Sequence, residues 1–149
     1  MAHRFAFVNS EGELKGITSP GSDDQYVNLQ SYGDTTAVII PTDIDNDELM
    51  VTGWYDLEAN TWETRIACPA SYFKWVNKAW AFDSTTFFSE LRSMRDEKLF
   101  DSDWTQFNDS PLTDSEKADW ATYRSALRDV PSTNANATSV EDVVWPTKP

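Results

Sequence analysis

Residues 91–131 read LRSMRDEKLFDSDWTQFNDSPLTDSEKADWATYRSALRDVP, two amphipathic patterns joined by a connector that holds a tryptophan, a proline and a helix-start signal. Just upstream, Asp83 and Ser84 precede Thr85-Thr86-Phe87-Phe88, and either side chain can accept the free backbone N–H groups of a starting helix. A first helix is therefore predicted over about 85–102. On it Phe87, Leu91 and Met94 fall together with Phe88 and Leu99, and Ser93, Asp96 and Glu97 take the far side. Thr113 and Glu116 form a capping box, in which each side chain satisfies a backbone N–H of the first turn, and Pro111 discourages a helix from entering there. The second helix is predicted over about 114–129, ending before Pro131. Trp120, Tyr123, Leu127 and Val130 share one of its faces. Two complementary apolar arcs and a short connector predict an antiparallel hairpin packed through Phe88, Leu91, Trp120 and Leu127.

Arg95 falls inside the apolar arc of its helix and Arg124 beside the arc of the second, with Asp96, Asp103 and Asp129 near in sequence. A guanidinium against apolar surface can bury its stem but cannot leave its charge unpaired, so it takes a carboxylate or stacks on a ring. Asp103 and Asp129 are the expected carboxylates, Trp104 and Trp120 the expected rings.

In residue order and spacing this region resembles the C-terminal domain of bacteriophage tail assembly chaperone proteins. The shared pattern is met by Leu91, Arg92, Arg95, Asp96 and Leu99, then Asp103 to Gln106, Pro111 and Leu112, then Trp120, Tyr123, Arg124, Leu127, Arg128, Asp129 and Pro131. The likeness covers about the last 60 residues, including Trp145-Pro146, and leaves residues 1–80 outside. It implies a phage tail role: helping tail or tail-fibre subunits assemble, or a permanent place in the virion.

With 149 residues and 40% hydrophobic content the chain can bury one ordinary core or two small ones. It has no long apolar run, and no signal-peptide core follows Met1-Ala2-His3-Arg4, so a soluble intracellular protein is expected. The net charge of −13 is uneven: residues 1–64 carry 12 acids and 2 bases, residues 65–149 carry 13 acids and 10 bases. Such a field repels phosphates and anionic lipid, so no nucleic acid and no membrane are expected as partners; basic protein surfaces are the natural attraction.

The N-terminal half reads as strands. Arg4–Val8 alternates, Asn9-Ser-Glu-Gly12 supplies turn chemistry, and Glu13–Ile17 completes an opening hairpin. Ser19–Asp24 reads as a loop and Thr36–Ile40 as a buried strand stopped by Pro41. Leu49–Tyr55 with Thr61–Ile66, and Tyr72–Val76 with Ala79–Phe82, read as two further hairpins around Glu58-Ala-Asn60 and Asn77-Lys78. Five glycines and the lack of a 3.6-residue pattern argue against helix here. The result is an antiparallel β unit of five to seven strands, its face covered by the hairpin or by another subunit.

Four chemistries are weighed. Asp43-Ile-Asp-Asn-Asp47 imitates the start of a calcium loop, yet Glu48 and Trp54 stand where an EF-hand needs Gly and Glu, so a solvated acidic turn is expected. Seven Trp and five Tyr invite a glycan-binding reading, but their spacing is that of hairpin and helix cores. Paired carboxylates for hydrolysis carry no mark of a cleft or raised pKa. An acidic DNA mimic needs charges at phosphate spacing on one rigid face, and here they sit mainly in turns. Cys68, the single cysteine, is expected half-buried beside Pro69 and not nucleophilic, because His3, the single histidine, lies at the terminus.

The expectation is thus an α+β, non-enzymatic phage tail protein without cofactor or metal. It divides into a β-rich acidic N-terminal unit (1–82), a helical hairpin (83–131) and an extended C-terminal tail (132–149). Its partners are other tail, tail-fibre or baseplate subunits or a second copy of the chain, met in the host cytoplasm and in the virion tail. The alternative is an acidic DNA mimic or a glycan-binding accessory module. Arg92, Arg95, Trp104, Trp120, Arg124, Arg128, Val144 and Trp145 are the candidate protein-binding residues. Ser132–Ser139 reads as a flexible linker by composition, and Val144 and Trp145 beyond it are expected to be buried against the β unit or a neighbouring subunit because apolar surface is costly in water.

Overall fold

The computed structural model describes residues 3–19 and 31–149, with backbone alone at 31–32. The chain divides into two compact units, Met1–Ala81 and Phe82–Pro149. The fold is α+β, an N-terminal β unit followed by a helical part, as the patterning predicts.

The first unit is built around β1 (Arg4–Val8), which pairs antiparallel with β2 (Leu14–Thr18) on one side and with β4 (Thr35–Ile40) on the other; β3 (Ser31–Tyr32) extends the sheet past β4. Ala6 lies opposite Ile17 and Val38, so the small residue sits at the centre of three strands. Ala6, Val8, Ile40 and Leu49 form the core, with Leu14, Ile17, Ile44, Tyr55 and Trp62 packed against it. β4 is less buried than its apolar run suggests, since Ile39 is half exposed while Ala37 and Ile40 face inward. Most of the loop read at Ser19–Asp24 lies outside the described residues.

The stretch read as a strand from Leu49 is mostly helix. Asp45 accepts from the backbone N–H groups of Asp47 and Glu48, starting α1 (Asn46–Thr52), and Leu49 plugs the core. At Gly53 the chain turns directly into β5 (Gly53–Asp56), and a Cβ there would meet Leu49 Cδ1 at 2.5 Å. The glycine permits that turn, and the apolar run hid it. The acidic turn around Asp43 leads into this helix cap, and no cluster of three or more His, Cys, Asp or Glu among the described residues is arranged to hold a metal.

β5 pairs with β6 (Thr61–Thr64), and β7 (Phe73–Val76) with β8 (Ala79–Phe82), as the hairpin signals predict. Asn77 and Lys78 both take positive φ, the two-residue turn that matches strand twist. Eight strands appear among the described residues, one more than expected; the extra one, β3, is two residues long and leaves no sequence pattern. Gly12, at φ +76, belongs to the first hairpin and lies so close to the Tyr55 carbonyl that no side chain fits. Its own carbonyl accepts from Tyr55 N–H at 2.9 Å, tying the hairpin to β5. Cys68 is exposed, not half-buried, and its thiol donates to the Ala70 carbonyl at 3.1 Å.

The second unit holds α2 (Ser84–Asp101), capped by Asp83, a 3-10 turn (Asp103–Gln106), and α3 (Asp114–Thr133) with the full Thr113–Glu116 capping box. The two helices pack together, and Phe87, Leu91, Trp120, Leu127 and Val130 are buried while Phe88 is half-buried. α3 does not stop before Pro131 but runs through it to Thr133. Only one bond is forgone so near the end, and the backbone N–H and side-chain Nδ2 of Asn134 both donate to the Val130 carbonyl to close the last turn.

Candidate docking surface

Arg124 is the buried charged residue among those described in the helical unit. Its position on α3 brings the guanidinium to the C-terminal end of α2, where carbonyls lack intrahelical donors and the helix dipole is negative. Nη1 donates to the Leu99 carbonyl at 2.6 Å and to Ser102 Oγ at 2.7 Å, and Nη2 to Asp103 Oδ1 at 2.6 Å. Ser102 in turn donates to the Lys98 and Leu99 carbonyls, and Thr105 Oγ1 donates to the Ser102 carbonyl. Arg124, Ser102 and Thr105 are all buried, so the connector is stapled to the end of α2 by polar groups that satisfy one another.

Of the expected carboxylates, Asp103 is engaged and Asp129 makes no ion pair among the described residues. Arg95 reaches no other helix; its Nε pairs with the adjacent Asp96 at 2.7 Å. Neither Trp104 nor Trp120 carries an arginine. Trp104 packs on Trp120 at 6.2 Å between ring centroids, Trp120 meets Tyr123 edge-on at 5.7 Å, and the cation over Trp120 is Lys148 at 5.4 Å.

The tail folds back through Asn134, a residue the compositional reading assigned to a flexible linker. Buried at the end of α3, its side-chain amide accepts from Val144 N–H at 2.8 Å and donates to the Val144 carbonyl at 3.3 Å, as a neighbouring strand would. This pairing turns Val143 inward and leaves Val144 76% exposed, so the expected burial falls on the neighbour of the residue named. Trp145 is half-buried beneath the Lys98 ammonium, 4.9 Å from its ring.

The candidate residues therefore separate. Trp120 and Arg124 are buried in the unit; Arg92, Trp104, Arg128 and Val144 are exposed, and Arg95 and Trp145 partly so. Two aromatics that pattern reading passed over stand further out than any of these rings: Phe100, 77% exposed, and Phe107, 58% exposed. The available signal was that Phe100 falls outside the apolar arc of α2 and that Phe107 follows the connector's 3-10 turn, outside either helix.

The β unit holds a second cluster that sequence reading missed. The Arg65 guanidinium lies 4.4 Å from the ring centroids of both Trp75 and Trp80, with Glu13 Oε1 at 3.4 Å. Burial raises the Glu13 pKa while Lys15 and Arg65 lower it, and the net displacement is downward. Arg65 fastens the β7–β8 hairpin to β2's end, work that its place in an exposed-looking strand did not announce.

The second unit is thus a small helical module in which the buried side chains of Arg124, Ser102, Thr105 and Asn134 close its own ends, with aromatic side chains left outside. Residues 88–149 match the family of phage tail assembly chaperone proteins. The matched segment begins inside α2 and takes in the connector, α3 and the tail, so the resemblance carried by the motifs holds for this part of the chain and points to a role in phage tail assembly. No curated protein and no solved structure matches the chain.

Proposed function

We propose that the protein works by protein–protein contact and without catalysis in assembling a phage tail or tail fibre, meeting other tail, fibre or baseplate subunits in the host cytoplasm. The observation that carries this is the family match over a unit whose interior is closed by its own residues. No helix among the described residues is long and apolar enough to cross a membrane. Arg92, Arg95, Arg128, Trp104, Val144 and Trp145 are the positions assigned to partner contact, while Trp120 and Arg124 act at a remove by holding the module together.

The test is a phage genome lacking this reading frame. Tailless particles or incomplete tails, restored by the gene supplied in trans, are expected; normal infectious tails overturn the assembly role. Proteomics of purified particles then separates a retained component, present at fixed copy number, from a chaperone that leaves.

A further inference from the structure

Phe100, Trp104 and Phe107 lie within eight residues of chain at the end of α2 and its 3-10 turn, and all three are exposed, at 77%, 45% and 58%. Three large apolar side chains left exposed over so short a stretch of a small module mark an interaction site. Its surroundings are acidic. A shallow hollow beside Phe100 is lined by Ser93, Asp96, Glu97 and Asp101, and Asp109 follows Phe107. The nearby cations are already engaged: Arg92 with the Phe88 carbonyl, Arg95 with Asp96, Lys98 with the Trp145 ring, Arg124 with Asp103, and Lys148, which shares a hollow with Asp101, with the Trp120 ring. No ion pair among the described residues involves Glu97, Asp101 or Asp109.

We propose that this aromatic and acidic surface receives a basic, apolar segment of another tail protein, in which large apolar side chains cover Phe100, Trp104 and Phe107 and a Lys or Arg enters the hollow. Its stem would lie on the Phe100 ring and its charge among the carboxylates of Asp96, Glu97 and Asp101, the arrangement that long cationic side chains favour. A second copy of this chain is the wrong occupant, because two acidic faces on chains of net charge −13 repel one another. The inference rests on the assembly role and names the chemistry of its partner.

The test uses the full chain, isotope-labelled for amide NMR, titrated with a synthetic peptide of Lys, Leu and Trp and with two controls carrying Ser or Glu in place of Lys. Shifts concentrated in residues 93–109 are expected with the Lys peptide. Its affinity should fall with rising salt and by about ten-fold in Asp96→Asn/Glu97→Gln/Asp101→Asn, as for three partly screened charge contacts. Equal binding of the Ser peptide, shifts elsewhere, or dimerisation of the chain through these residues overturns the inference. Phe100→Ser/Phe107→Ser, which alters only exposed side chains and should keep its melting curve, is then placed in the phage. Failed tails are expected. If tails fail but the Lys peptide does not bind, the basic partner is refuted and the assembly role survives; if tails form normally the surface is refuted, and the gene-deletion phenotype still decides the role.

Discussion

Arg124→Met keeps most of the apolar stem and removes the charge that staples the connector to α2. Two of its bonds, to the Leu99 carbonyl and Ser102 Oγ, are charge-assisted and made out of solvent, and such bonds contribute about 1.5–3 kcal/mol each when deleted. The lower end applies, because the Leu99 carbonyl still accepts from Ser102 N–H and Oγ and is not orphaned. The Asp103 carboxylate is half exposed, so its pairing adds only about 0.5 kcal/mol, and loss of a cation at a helix C-terminus about as much again. Set against the desolvation that arginine no longer has to suffer, the net loss should be about 2–4 kcal/mol. Urea unfolding followed by far-UV circular dichroism, dominated by the two long helices, measures it. Arg128→Met, at an exposed position one turn further on, should stay within about 0.5 kcal/mol of the parent. Asp103→Asn should cost under about 1 kcal/mol and add little to Arg124→Met, since the two share one bond. A loss below about 1 kcal/mol in Arg124→Met would refute the staple.

Asn134→Ala keeps the backbone N–H bond that closes α3 but removes the side-chain bond to the Val130 carbonyl and the side-chain pairing to Val144, and a loss of about 1–3 kcal/mol is expected with faster hydrogen exchange at the Val144 amide; unchanged protection there means that the tail is held by other contacts. The Glu116 carboxyl is held below its ordinary value of 4.5 because the Thr113 hydroxyl, and then the Thr113 backbone N–H, donate to its ionised form. A pKa lowered by folding gives stability that is present above 4.5 and lost as pH falls through the folded value. The start of α3 should therefore fray in acid, and an NMR titration placing Glu116 at or above 4.5 would show that the capping box is not formed in solution.

What could be read in advance was local. Asp83, Thr113 and Glu116 act on backbone groups two or three residues away, so their caps are visible in the sequence alone. The hairpin around Asn77-Lys78 is likewise settled by two residues that tolerate positive φ. The misjudged elements depend on partners distant along the chain. α1 looked like a strand because an apolar run tells nothing about period when one residue, Leu49, does all the burial. Asn134 sat in a stretch of linker composition, and only Val144, ten residues on, gives its amide work. Arg65 needs Trp75, Trp80 and Glu13 from three other segments before it means anything.

The two arginines of the hairpin show why angle on a helix is insufficient. Arg95 lies within its apolar arc and Arg124 beside one, so the wheel favours Arg95 as the buried cation; the structure buries Arg124 and leaves Arg95 on its neighbour Asp96. Axial position decides between them. Arg124 stands opposite the last turn of α2, where the Leu99 carbonyl, the Ser102 hydroxyl and the Asp103 carboxylate all accept from it and the dipole is negative, so three bonds offset the desolvation of its charge. Arg95, in the interior of α2, faces carbonyls already taken by the helix and finds nothing but the carboxylate beside it. That difference also separates their work in the fold: Arg124 staples the connector to α2, whereas Arg95, paired with the carboxylate next to it, ties no second element.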